Sequence, residues 1–181
     1  MSVKAVKNQP KRIMIIGQPG SGKSTLAKLL GEITGLPVVH IDTIHWQTGW
    51  VERSKSERTR LCEEVHARDE WIFEGGHSIT WPSRIARAEM IVALDIPFHI
   101  RAWRVFWRTI KHYGKTRADL PDGCPERFNW EFTLWIWNTR NSARKNILKA
   151  LTNAPDEKEK HILRSKADVD EFIADMKKAA K

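Results

Sequence analysis

Gly17-Gln18-Pro19-Gly20-Ser21-Gly22-Lys23-Ser24 is the stretch on which the fold of this chain turns. It fits G-x-x-x-x-G-K-[ST], the phosphate-binding loop. Such a motif means little without the right flanks, and here the flanks are right. Before it, Arg12-Ile13-Met14-Ile15-Ile16 is a short apolar run, the pattern of a buried parallel strand. After it, Leu26, Leu29, Leu30 and Ile33 recur at helical spacing over residues 25–34, and Gly35 marks the stop.

The chemistry follows from residue types. Gly17, Gly20 and Gly22 permit backbone angles and close approach that a side chain blocks. The N–H groups of the loop, including those of Ser21 and Thr25, point with the helix N-terminus at phosphate oxygens. Lys23 reaches the β- and γ-phosphates and the Ser24 hydroxyl ligates Mg²⁺. The expected cofactors are therefore ATP and Mg²⁺. The loop says little about what receives the phosphate.

With 181 residues the chain suits one domain with a substantial core, and no apolar run is long enough to span a bilayer. Residues 1–11 are polar and basic without an apolar stretch, and read as a frayed tail, not a signal peptide. Cys62 and Cys124 are too few for a disulfide framework or a zinc site, so a reduced, cytoplasmic setting is expected. The net charge is +9, with eleven Lys or Arg against four Asp or Glu over residues 101–149. That surplus fits small polyanions such as nucleotides and equally fits nucleic acid. No helix-turn-helix, zinc or RNA-binding signature accompanies it.

Further along, Pro37-Val38-Val39-His40-Ile41-Asp42 reads as a second strand that ends in a carboxylate. A strand, a helix and a strand make a βαβ unit and a parallel sheet, whose ligands bind beyond the carboxyl ends of the strands. Asp42 is thus a general base, a water-mediated Mg²⁺ ligand, or a cap for the next helix. Trp46 and Trp50 either stack on a nucleobase or pack a small acceptor-side subdomain, about residues 43–70. Residues 54–68 read as a helix with Ser54 as N-cap and Glu57 completing a capping box. Residues 70–74 form a third strand, and Gly75-Gly76 lets the chain turn. Glu74 there orients metal or acceptor, or fixes the turn. Arg84 is placed to meet an anionic substrate. Residues 90–95 are a fourth strand, with Asp95 in a structural role.

The helix over residues 99–112 carries two stripes. Ile100, Trp103, Trp107 and Ile110 are expected in the core. Arg101, Arg104 and Arg108 run beside them and aim at phosphates. Residues 113–128 break all periodicity and read as a mobile lid over the phosphates, with Arg117 and Arg127 as its cations. Helical pattern returns over residues 130–151, with Phe132, Trp135, Ile136, Ile147, Leu148 and Leu151 as core, a polar interruption at residues 138–144, and Arg140 and Arg144 on one face directed at the site. A fifth strand, residues 161–164, and a helix over residues 167–179 capped by Ser165 close the chain.

These residues resemble small P-loop kinases of the adenylate-kinase-like superfamily. More narrowly, they are similar to bacterial DNA topology modulation proteins, described as probable adenylate kinases. The likeness rests on the loop and on His40-Ile41-Asp42 with Trp46 and Trp50. It also rests on Trp71-Ile72-Phe73-Glu74-Gly75-Gly76, Trp81 with Arg84, Leu94-Asp95-Ile96-Pro97, Gly123-Cys124-Pro125-Glu126 and Trp135-Ile136-Trp137-Asn138. It implies an α/β, three-layer P-loop NTPase fold with a five-stranded parallel sheet in order 2-3-1-4-5, helices on both faces and a lid at about residues 111–128. It also implies an acceptor site near Asp42, Glu74, Gly75 and Gly76. After the third strand adenylate kinases proper carry Asp-Gly-Phe-Pro-Arg. This chain has Glu74-Gly75-Gly76-His77-Ser78, so that Arg84 substitutes from another position. The activity expected is transfer of a phosphoryl group from ATP to a small acceptor, foremost a nucleoside monophosphate. The alternatives are an ATP-dependent protein acting on DNA through its basic surface, and an ATPase switch.

Overall fold

The computed structural model describes residues 9–180, so most of the expected tail lies outside the described residues. In chain order the elements are β1 (Arg12–Gly17), α1 (Lys23–Thr34), β2 (Val38–His40), α2 (Ile41–His45), β3 (Trp46–Gln47), β4 (Val51–Glu52), α3 (Lys55–Ala67) and β5 (Trp71–Glu74). They continue as α4 (Trp81–Arg87), β6 (Met90–Leu94), α5 (Phe98–Lys111), α6 (Trp130–Thr152), β7 (Glu159–Leu163) and α7 (Lys166–Ala179).

Five strands form one parallel sheet in the order β2-β5-β1-β6-β7. With the small antiparallel hairpin β3–β4 set aside, this is the expected order 2-3-1-4-5. Side chains of β1 alternate between faces, and both faces are covered. Ile13 and Ile15 meet Leu26 and Leu30 of α1 and Phe172 and Met176 of α7. Met14 and Ile16 belong to a second core with Val65 of α3 and Ile147 and Leu151 of α6. A strand buried on both faces has no polar alternation, which is why its sequence is a plain apolar run. This is the three-layer α/β architecture of P-loop NTPases.

Local signals act where expected. Ser54 accepts a hydrogen bond from the Glu57 N–H at the start of α3, and Ser165 accepts one from the Asp168 N–H at the start of α7.

Three expectations are corrected. Asp42 does not end a strand: β2 stops at His40, and Asp42 stands in the first turn of α2. α6 runs unbroken through the polar stretch 138–144. Within it Ile136, Ile147 and Leu151 are buried, but Phe132 and Trp135 are exposed.

The third correction concerns α5. Its apolar stripe faces outward, with Trp103 61% and Ile110 50% exposed, while Arg101 on the neighbouring stripe is only 2% exposed. The helix has turned Arg101 and Arg108 towards the body, while Arg104 stays exposed. Among the described residues no helix is long and apolar enough to cross a membrane.

Candidate active site

The phosphate loop sits where β1 hands over to α1. Gly20 and Gly22 both have left-handed backbone angles, φ 75° and 99°. A Cβ on Gly20 would also collide with the backbone of Arg101, so α5 is seated directly on the loop. Gly22 starts α1 without any side-chain cap, and no acidic residue occupies the first turn. The N–H groups there are free of protein competition for an anion. Lys23 Nζ donates to the Gln18 carbonyl at 3.3 Å, bent back over the loop.

Behind the loop lies a set of carboxylates. Ser24 Oγ donates to Glu74 Oε1 at 3.0 Å, and His40 Nδ1 donates to the same oxygen at 2.8 Å. Glu74 is buried. Burial pushes its carboxyl up, but the His40 bond, the Lys23 charge and the Ser24 hydroxyl outweigh that and hold it below the usual range. Asp42 has the opposite balance. Burial and the charge of Glu74 raise its pKa to about 6, against the pull of Lys23 and Arg117. One carboxyl of the pair stays ionised and the other titrates near neutrality. Because the Ser24 proton is taken by Glu74, the hydroxyl lone pairs remain available to a cation, which fits Mg²⁺ carried in on a nucleotide.

The arginine face of α5 supports and flanks this loop. Arg101 donates through Nε to the Ile96 carbonyl and through Nη1 to the Pro19 carbonyl, at 3.0 and 3.1 Å. Arg104 Nη1 donates to the Ser21 carbonyl at 3.3 Å. Arg108 and Arg117 both reach Glu126, at 3.3 and 2.9 Å, and Arg117 also pairs with Asp119 at 2.8 Å. The segment 112–129 is tied back on itself. The Gly114 N–H bonds the Glu126 carbonyl, and the Glu126 N–H bonds the Lys115 carbonyl. Burial would raise the Asp119 carboxyl, but Arg117 and a backbone hydrogen bond hold it low.

On the acceptor side, hairpin β3–β4 carries Trp46 and Trp50, with rings edge to face at 5.3 Å. Trp50 has φ 62°, unusual for a bulky residue. It is held by its N–H to Cys124 Sγ at 3.3 Å and its Nε1 to the Pro125 carbonyl at 3.1 Å. The hairpin and the 112–129 segment thus pack together, and a cavity of about 500 Å³ opens between Thr43, Trp46, Arg53 and Pro121. Gly75 has φ 113°, and a methyl there would run into Ile41, so β5 turns tightly beneath Asp42.

Arg84 is not available to a ligand. It is fully buried, lies 3.9 Å over the Phe73 ring, and donates to His66 Nε2 and to the Gly75 and Gly76 carbonyls. Burial lowers its pKa to about 10 and burial with the Arg84 charge lowers that of His66 to about 4, so His66 is neutral and accepts. Arg84 shapes the Gly75-Gly76 turn from below. Arg140 stacks on Trp137, and its carbonyl accepts from Gln18 Nε2 at 2.8 Å. Arg144 forms a two-pronged pair, at 2.7 and 2.8 Å, with Asp95, one residue past Leu94, which pairs with Gly17 at the start of the phosphate loop. Arg127 is exposed on the 112–129 segment.

Of the residues named from the sequence, Lys23, Ser24, Asp42, Glu74, Arg104, Arg108 and Arg117 converge. Three others were given no role of their own: His40, Asp119 and Glu126. An acidic residue two places from Arg117 and another beside Arg127, in a loop without periodicity, were the available signals.

No protein-family model matches the chain, and no curated protein does. Solved structures do. Shikimate kinase from Aquifex aeolicus vf5 superposes with a TM-score of 0.55 at 16% identity, covering 93% of this chain and 98% of that one. Shikimate kinase from Bacteroides thetaiotaomicron gives 0.54 at 13% identity, over 93% and 97%. A gluconokinase from Sinorhizobium meliloti 1021 gives 0.51 at 16% identity, over 96% and 93%. At such identities the likeness is one of fold: the chain has the fold of P-loop small-molecule kinases.

Proposed function

We propose that the chain is an ATP-dependent kinase that transfers the γ-phosphoryl group to a hydroxyl of a small acceptor. The observation that carries this reading is Asp42. Its carboxyl, with a pKa of about 6, lies among Lys23, Glu74 and Arg117 at the head of the acceptor-side hairpin. A base tuned near neutrality is what removal of a hydroxyl proton requires. A phosphate acceptor is already anionic and has no need of one.

In the reaction, the triphosphate lies in the Gly17–Ser24 loop with Lys23, Arg104, Arg108 and Arg117 as counter-charges. The Ser24 hydroxyl, with the Glu74 carboxylate behind it and Asp119 nearby, would hold Mg²⁺, which would draw charge off the phosphates. The acceptor oxygen forms a bond to the γ-phosphorus as its proton passes to Asp42. The bond to the bridging oxygen breaks, and ADP leaves with that electron pair. The 112–129 segment acts as a lid: as phosphates arrive, Arg108 and Arg117 exchange Glu126 and Asp119 for phosphate oxygens, and water is excluded. The whole chain works as one kinase domain, with the hairpin region as its acceptor side. The likeness to shikimate kinase and gluconokinase structures fits an acceptor of small size.

A nucleoside monophosphate is the second acceptor class. The narrower likeness to DNA topology modulation proteins, carried by Trp71-Ile72-Phe73-Glu74-Gly75-Gly76 and Trp135-Ile136-Trp137-Asn138, favours it. The internal engagement of Arg84 weighs against it. For DNA as a partner, Arg101, Arg108 and Arg117 are engaged by the body, which weighs against their part of the basic stretch 101–149, while Lys111, Lys115 and Arg127 stay exposed. The test is ADP formation from Mg-ATP with sugar acids, polyols and cyclic hydroxy acids in one panel and nucleoside monophosphates in another. A rise confined to the first panel supports the proposal. A rise confined to the second replaces hydroxyl with phosphate as acceptor, and no rise with any acceptor sinks the kinase reading.

A further inference from the structure

Among the described residues the outward face of α5 has no partner. Ile100, Trp103, Trp107 and Ile110 fall at spacings of three, four and three, the a/d seam of a helix that packs against another helix. Phe106 lies beside them. Trp103 and Phe106 stack at 6.1 Å, and Trp103 and Trp107 meet edge to face at 5.5 Å. These rings cover one another on the surface instead of entering the core.

The same situation recurs at the start of α6. Residues 130–135 are exposed throughout, including Trp130 at 62% and Trp135 at 50%. The two regions join where Trp137 meets the Phe98 ring edge to face at 5.4 Å, at the first residue of α5.

The area is large. A half-exposed aromatic side chain leaves roughly 100 Å² open, so five on α5 and its continuation leave about 500 Å² and as many on α6 about as much again. The largest apolar patch on an ordinary monomer is about 300–600 Å². Each partner in a standard interface contributes about 800 Å².

Charge narrows the occupant. A membrane surface or a nucleic acid needs cations around the aromatic face to meet its phosphates. On α5 Arg101 and Arg108 are turned the other way, onto Pro19 and Glu126, and Arg104, though exposed, is bonded to the Ser21 carbonyl. The seam residues themselves are uncharged, with Lys111 exposed beyond their end, and their complement is another such seam. We propose that α5, with the start of α6, is the contact of a two-fold homodimer in which the Ile100-Trp103-Trp107-Ile110 seams of two copies pack on each other. In a two-fold interface the same patch serves both sides, so self-complementarity of one helix suffices. The net charge of +9 per copy opposes association, but it is carried off the seam and is screened beyond about 8 Å at physiological salt. This inference does not depend on the kinase reading.

The experiment is sedimentation equilibrium of the full chain at about 1 to 100 μM, at roughly 0.05 and 0.5 M salt. The expected result is a dimer whose dissociation constant falls as salt rises. The double variant W103E/W107E, which changes two solvent-open side chains, is expected to weaken dimerisation more than about a hundredfold at unchanged far-UV circular dichroism. Val51→Glu, exposed on the hairpin, should leave the mass unaltered and serves as the control. A wild-type chain at monomer mass across the whole range overturns the proposal, whatever the variants do. So does a dimer that persists undiminished in W103E/W107E. Binding of the monomer to vesicles of one-third phosphatidylserine, or to single-stranded DNA, lost in W103E/W107E, would overturn it too and assign the face to that partner.

Discussion

Replacing Asp42 by Asn sets activity against stability, and the structure fixes both signs. The Asp42 carboxyl has its pKa raised from 3.8 to about 6, first by burial and then by Glu74. In the folded chain the proton is held more tightly than in the unfolded one. Between pH 3.8 and 6 the native state therefore carries more protons, and stability falls as pH rises through that window. Above it the chain retains the full cost of an ionised Asp42, up to about 3 kcal/mol at about 1.4 kcal/mol per pH decade. Asp42 keeps some contact with solvent, so this is an upper bound. D42N removes the cost while keeping the shape. Guanidinium unfolding followed by tryptophan fluorescence should show D42N more stable than wild type at pH 7.5, by about 1–3 kcal/mol, with the gap closing near pH 4. Phosphoryl transfer should fall by about 10²–10⁴ in kcat/KM. The kcat/KM of the wild type should itself drop about tenfold per pH unit below 6, and D42N should lose that limb. A wild-type profile flat from pH 5 to 7.5, or a D42N chain less stable than wild type at both pH values, would refute the reasoning.

Lys23→Ala should lower transfer at least about a hundredfold while shifting the thermal midpoint by no more than about 4 °C, because its hydrogen bond to the Gln18 carbonyl is long and its remaining contribution is the charge it lends Glu74 and Asp42. Gly75→Ala should destabilise the fold by about 2–4 kcal/mol in urea, since φ 113° and the Ile41 side chain both reject a methyl. Glu126→Ala leaves Arg108 and Arg117 without their shared carboxylate, so trypsin should cleave within residues 112–129 several-fold faster, and millimolar ATP should restore protection. Protection that ATP does not restore would remove Arg108 and Arg117 from the nucleotide site.

What was legible in the sequence was local. The loop from Gly17 to Ser24 needs only its own glycines and the flanking apolar periods, and a helix between strands makes the sheet parallel, whereas the strand order was implied only by the family resemblance. Asp42 was displaced by one short step because β2 is an edge strand of three residues, and Ile41 turns inward to begin α2. Arg84 looked like a ligand contact because an arginine after a glycine turn resembles one. Only the packed geometry reveals Phe73, His66 and two carbonyls consuming its guanidinium. Asp119 and Glu126 act through pairs that cross an aperiodic loop, and periodicity has nothing to say about such pairs.

The orientation of α5 is the instructive failure. Its sequence carries an apolar stripe and an arginine stripe side by side, and hydrophobic period alone sends the apolar one to the core. Turning the helix that way would hide about 500 Å² more, worth about 12 kcal/mol at 25 cal/mol per Å² as an upper figure. The observed orientation forgoes this. Arg101 and Arg104 instead satisfy the Pro19 and Ser21 carbonyls of a loop whose glycines leave no side chains to do so, and Arg108 is held on Glu126. A loop that must stay open to an anion has to be braced from outside by donors, and α5 is the element seated on it. The aromatic face left on the surface is then a consequence of building the phosphate site. It also explains why that face should be closed by a second copy of the chain and not by the protein's own core. If W103E/W107E abolishes the dimer yet leaves Mg-ATP affinity unchanged, bracing of the loop and covering of the seam are separable duties of one helix. A matching loss of ATP affinity would mean that the partner copy also steadies the arginine face.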